Sequence, residues 1–201
     1  MTDIQTLWDW RRQVADLYAA IRHEPDPHRA WTHWRDTRDK LFASHPDSPL
    51  DPDARAAFTG IRLHPYDPTR RFMVQLEPVS GPPSLLPAGD DGTVSAQPFA
   101  RTVGLQPALG GELTLFWLQG YGGGVFLPFT DAGSGRESYG GGRYLLDTIK
   151  GADLGQSTDG RTVIDFNFAY APSCAHSKHF ICPLAPASNR LPTSILAGER
   201  L

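Results

Sequence analysis

Apolar positions recur every three to four residues through the first quarter of the chain and every second residue beyond it. Ile4, Leu7, Trp8, Val14, Leu17, Tyr18 and Ile21 share one stripe, while Asp9, Arg11, Arg12, Asp16 and Arg22 fall mostly elsewhere, the mark of an amphipathic helix. Thr2 or Asp3 can cap it, and His23-Glu24-Pro25 ends it. Asp26 is placed to cap a second helix with Pro27 at its first position, where the missing N–H costs nothing. Ala30, Trp31, Trp34, Arg38, Leu41 and Phe42 line one side of that helix. After the turn cluster HPDSPLDPD, residues 54–58 predict one more helical turn. The alternation then predicts strands over 58–64, 71–77, 93–103, 113–119, 124–129, 142–146 and 162–170. Pro98 demotes its strand to an edge or marks a bulge. The connections, among them GPPSLLPAGDDG, GYGGG and DAGSGRESYGG, are rich in turn residues. Short strands without intervening helical pattern argue an α+β fold. An N-terminal helical hairpin (1–57) packs on an antiparallel β-meander or barrel-like sheet (58–201) as one compact unit. The Pro-rich tail after Cys182 is expected to lie extended over the barrel surface.

Composition sharpens this division. Four of the five Trp precede residue 35, and Gly60 alone among the 20 glycines precedes residue 70. A net charge of −3 lacks the polyanion-seeking character of a nucleic-acid binder. No stretch approaches the ~20 apolar residues that span a bilayer. The opening MTDIQTLWDWRR lacks a basic region followed by an apolar run, so it does not read as a signal peptide. Two cysteines do not make a disulfide framework. The expectation is a cytoplasmic protein without membrane or nucleic-acid partners.

Three segments carry candidate chemistry. In TVIDFNFAY, Ile164, Phe166, Phe168 and Tyr170 alternate with Val163, Asp165, Asn167 and Ala169. One face is core; the other is solvated or lines a polar cavity. In FTDAGSGRESYGGGRYLLD, Asp131 opens a turn, Glu137 and Tyr139 follow, and three glycines lead into Arg143 and Tyr144. An arginine opening a strand there can hold a carboxylate or phosphate bidentately; it can equally be tied to Glu137 or Asp165 in a structural ion pair. PSCAHSKHFICP brings Cys174, His176, His179 and Cys182 within nine residues. These are zinc-type ligands at a spacing that is not that of a zinc finger. The alternatives are structural cysteines or a nucleophilic Cys174 beside a histidine. No P-loop, nucleophile elbow or zincin helix occurs.

The runs PFTDAGSGRESYGGGRYLLD, DFNFAYAPSCAHSKHFICPLAPASNRLP and AGER, with WRDTRDKLFASHPDSPL and FTGIRLHPYDP earlier, make the chain resemble a bacterial domain-of-unknown-function family, DUF1684, abundant in actinobacteria. The resemblance implies no established activity. It marks Asp131, Gly133, Glu137, Tyr139, Gly142, Arg143, Tyr144, Asp165, Asn167, Tyr170, Cys174, Cys182, Pro183, Asn189 and Arg190 as family positions. The family pattern has a tyrosine where this chain has His176, and does not fix His179.

The leading expectation is a small organic ligand held in a polar-ended barrel pocket. Glu137 or Asp165 would serve as catalytic acid/base, and Arg143, Tyr139, Tyr144, Asn167 and Tyr170 would bind substrate. No cofactor is expected. One alternative is an interaction module or homodimer built on the Trp-rich helices. The other is a zinc protein using Cys174, His176, His179 and Cys182.

Overall fold

The structure, a computed structural model, describes residues 3–87 and 92–201. Helix α1 (Ile4–His23) starts on Asp3, whose carboxylate accepts from the Gln5 amide. Helix α2 (Pro27–Ser44) starts on Asp26, which accepts from the amides of His28 and Arg29, with Pro27 in its first turn. The further helical turn is α3 (Pro52–Ala56). The hairpin is pressed to the sheet by Leu17, Tyr18, Ile21, Trp31 and Trp34, which form one apolar cluster with Val163 and Phe168. Trp31 and Trp34 also satisfy their indole N–H groups, on Asn167 O at 3.1 Å and Tyr18 Oη at 3.2 Å. Among the described residues, no helix is long and apolar enough to cross a membrane.

The strands are β1 (Arg71–Pro78), β2 (Ser84–Pro87), β3 (Thr93–Val103), β4 (Thr114–Leu118), β5 (Gly124–Phe129), β6 (Arg143–Asp147) and β7 (Thr162–Asp165), with a short helix α4 (Gln106–Leu109) after β3. Every pairing is antiparallel, in the order β6-β5-β4-β3-β1-β7, with β2 also on β3. The register slips between Pro98 and Ala100, so Pro98 marks a bulge in an inner strand rather than an edge. The sheet nearly closes on itself. Tyr144 in β6 exchanges both backbone hydrogen bonds with Tyr170, beyond the end of β7, at 2.8 and 3.2 Å.

Three expectations need correction. Residues 58–64 form no strand; the segment makes one bridge, Leu63 to Glu199, because its partner is the irregular C-terminal tail. The strand from Thr162 ends at Asp165, whose carboxylate accepts from the Asn167 amide and turns Phe166–Phe168 into a 3-10 helix. Alternation fails there, and all residues from Thr162 to Ala169 are buried. The tail lies only in part over the surface, with Leu184 and Leu196 exposed. Leu191, Ile195 and Ala197 are inserted into the main core beside Leu113, Phe129 and Phe166. Strand β2 falls in a stretch that reads as a turn from its prolines.

Candidate functional site

Arg143 is buried at 1% exposure, and both its Nη atoms hold the tail, while its Nε has no hydrogen-bond partner among the described residues. One Nη donates to Asp131 Oδ2 at 2.8 Å and to Ile195 O at 3.0 Å. The other donates to Ala197 O and to Glu199 O. Its ion-pair partner is therefore Asp131, not Glu137 or Asp165. Gly142 allows this entry: its φ is +93°, and a Cβ there would stand 2.5 Å from Phe129 O.

Asp165 and Asn167 are similarly occupied. Asp165 Oδ1 accepts from the Asn167 amide at 3.0 Å and side chain at 2.8 Å, and Oδ2 faces Arg71 at 3.4 Å. Burial pushes the Asp165 carboxyl above its ordinary value, against these hydrogen bonds and Arg71. The Asn167 amide clamps the Asp67 backbone, accepting from its N–H and donating to its C=O, both at 2.8 Å. Glu137 is exposed. The predicted acid, amide and guanidinium groups therefore do not converge on a shared hollow; they are spent on turns, on the tail or on solvent.

The tyrosines lead elsewhere. Tyr170, with Tyr18, Arg38, Phe42 and His176, lines a hollow of about 80 Å³ in the seam between hairpin and barrel. Arg38 lies within 5.2 Å of three ring centroids, those of Trp34, Phe42 and Tyr170. This aromatic cage suits a cation. One Arg38 Nη pairs with Glu199 Oε1, and both side chains are largely sequestered. Burial alone would raise the Glu199 carboxyl, but Arg38, His176 and the Ala171 amide hold it below its ordinary value. The pair thus stays ionised inside the protein. His176 Nε2 stands 3.8 Å from Glu199 Oε2. Both His176 Nε2 and Arg38 Nε are buried without a hydrogen-bond partner. Arg38 Nε is a donor that calls for an acceptor the described residues do not supply, and His176 Nε2 is a donor or an acceptor according to its tautomer.

A second hollow, about 240 Å³, shares His176 and Ala171 with the first. Leu50, Phe58 and Ile61 make its apolar wall, Glu199 and Tyr139 reach its interior, and Arg62 and Arg200 complete it. The Arg200 amide donates to Arg62 O at 3.0 Å, which sets the two arginines side by side. Both are exposed, and among the described residues neither enters an ion pair. Tyr139 Oη lies 3.6 Å from Cys174 Sγ. That contact and burial push the phenol up to about 12, so it keeps its proton at neutral pH.

The Cys/His loop does not gather its four candidates. His179 is exposed, His176 turns to Glu199, and Cys174 and Cys182 are free thiols. Among the described residues, no three His, Cys, Asp or Glu side chains stand together as a metal-binding group. Tyr144 is buried with its hydroxyl on Pro183 O.

Sequence reasoning missed Arg38 and Glu199. Arg38 was legible as a cation in the apolar stripe of α2, four residues after Trp34 and four before Phe42. A charge at such a position needs a buried partner. Nothing local marked Glu199 as that partner.

A family model described as "Protein of unknown function (DUF1684)" matches residues 56–200. The chain is also similar to an uncharacterised protein of Haloarcula marismortui, solved by solution NMR. The identity is 32%, the match covers 87% of this chain and 94% of that one, and the TM-score is 0.58. No curated protein matches the chain.

Proposed function

The chain belongs to the DUF1684 family of proteins of unknown function, and on that premise we propose that it binds a compact organic anion in the seam between hairpin and barrel. The observation that carries the reading is the 240 Å³ hollow, with an apolar wall on one side and Arg62, Arg200, Tyr139 and His176 on the other. Small-molecule sites have this character: mostly apolar walls and a few converging polar groups. The volume suits a ligand the size of a substituted benzoate or a short branched acid. Arg38 and Glu199 neutralise each other, so the side-chain charge left over at the site is that of Arg62 and Arg200, which favours an anionic group.

The roles first assigned to Arg143, Asp165 and Glu137 pass to other residues. The arginines hold the anion, and any proton transfer belongs to His176, with the Glu199 carboxylate behind it. Asp165 is tied to Asn167 and Arg71, and Glu137 faces solvent.

The test is calorimetric titration with a panel of small aromatic and branched carboxylates, on the wild type and on Arg62→Glu/Arg200→Glu. Both arginines are exposed, so the double variant keeps its fold. The expected result is saturable binding of some member and at least about tenfold weaker binding by the variant. No binding across the panel, or equal affinity in the variant, overturns the proposal.

A further inference from the structure

The largest of the cavities described lies at the mouth of the barrel, beside the 80 Å³ seam hollow, with which it shares Tyr144 and Lys150. It measures about 670 Å³ and opens to solvent. Val94, Leu118, Phe126, Ile149, Ile181 and Pro183 give it apolar walls. Phe126 and Leu118 are themselves buried, so the cavity reaches down to one of the apolar clusters of the barrel. Its rim is apolar as well, with Ile149 47% exposed, Ile181 63% exposed and Tyr121 fully exposed. Apolar side chains ringing an apolar hollow are the usual sign of a surface that a ligand covers.

The charges at this site are few and sit to one side. Arg11, Lys150 and Asp147 line it. Lys150 Nζ is 3.5 Å from Asp147 Oδ2, which leaves Arg11 as the excess charge. Arg11 spends one Nη on the Ile149 carbonyl at 3.4 Å, and among the described residues no carboxylate pairs with it. The hollow therefore offers a long greasy wall and a single cationic edge. The Tyr144 side chain, pinned to Pro183 O, stands between this cavity and the smaller seam hollow.

We infer that the barrel mouth is a second binding site, for an amphiphile with one negative head group and an unbranched alkyl chain of medium length. The chain lies along Leu118, Phe126 and Ile181, and the head group meets Arg11 at the rim. This site does not use the residues of the 240 Å³ seam hollow: neither Arg62 nor Arg200 lines it.

The probe is a dansyl-labelled undecanoic acid, followed by fluorescence below its micellar concentration. Hexanoate, octanoate and decanoate serve as competitors beside decyltrimethylammonium. The expected result is saturable binding, with competition strengthening about fourfold per added methylene, as apolar burial predicts. The cationic amphiphile should compete at least about tenfold less well than decanoate. Ile181→Glu places a carboxylate at the exposed rim without touching the core, and Leu118→Trp fills the cavity; each should weaken the probe by about tenfold or more. Arg62→Glu/Arg200→Glu should bind it as the wild type does. Absence of saturable binding, competition indifferent to chain length, or a cation that competes equally overturns the inference. So does wild-type affinity in both cavity variants. Loss of probe binding in the arginine double variant would place the ligand in the seam and also overturn it.

Discussion

Replacing Arg143 by methionine is the sharpest perturbation of this fold. The side chain keeps an unbranched apolar stem, ends two atoms short of the guanidinium nitrogens and loses five donors. Asp131, 2% exposed, is left as a buried carboxylate whose remaining partner is the Gly133 amide at 2.6 Å. Stripping one member from a buried pair costs about 3–5 kcal/mol. The carbonyls of Ile195, Ala197 and Glu199 lose a shared donor, each worth about 1 kcal/mol net. The tail can relieve part of this by peeling away to water, at the expense of exposing Leu191, Ile195 and Ala197. A net loss of about 4 kcal/mol or more is expected, a large share of the ~5–15 kcal/mol that holds a domain together. Urea unfolding at neutral pH measures it. Hydrogen exchange at the Leu191 and Glu199 amides, which donate to Thr130 O and Ala169 O, shows whether the tail goes first. Arg143→Lys keeps the charge without the fork and should fall between. An Arg143→Met protein within about 1 kcal/mol of wild type, with tail amides still protected, would refute the claim that this guanidinium pins the tail.

Other outcomes follow from the same contacts. Asn167→Ala releases the Asp67 backbone from its two-point clamp and should cost about 1–3 kcal/mol in urea midpoint analysis. Gly198→Ala forces a Cβ to 2.5 Å from Ala169 O at φ +73° and should cost at least about 2 kcal/mol by thermal unfolding. Glu199 has a folded pKa below its ordinary 4.5, so the unfolded chain binds more protons there. Its stabilisation is complete above the ordinary value and is lost as pH falls through the depressed one; Glu199→Gln should flatten that acid slope in urea titrations. Asp165 has the opposite sign. Its folded pKa is raised above 3.8, so its penalty grows as pH rises through that window, and Asp165→Asn should hold or slightly raise stability at neutral pH.

Periodicity placed both helices, the Asp26–Pro27 start and most strands, because the hairpin and the outer sheet obey local rules. It failed where the chain is buried on every side. From Thr162 to Ala169 there is no wet face to alternate with, and the Asp165 cap ends the strand. The tail misled for a related reason: prolines signalled extended backbone, but Leu191, Ile195 and Ala197 decided its burial. Asp131, Arg143, Asp165 and Asn167 stood out as polar residues beside glycine turns. Their contacts are architectural, since they satisfy backbone groups of the tail and the Asp67 turn. The seam joins Arg38 to Glu199 across 161 positions, a pairing no local pattern could announce.

The central claim is that the seam between hairpin and barrel takes up an organic anion. A titration of the isotope-labelled protein with benzoate, followed by amide NMR, tests it most directly. The account predicts saturable shifts confined to the amides around Gly60–Arg62, Ala171–His176 and Glu199–Leu201, with the β4–β5 turn unmoved. A spectrum unchanged by benzoate and by every other carboxylate of the panel, or shifts only outside those three segments, would contradict it.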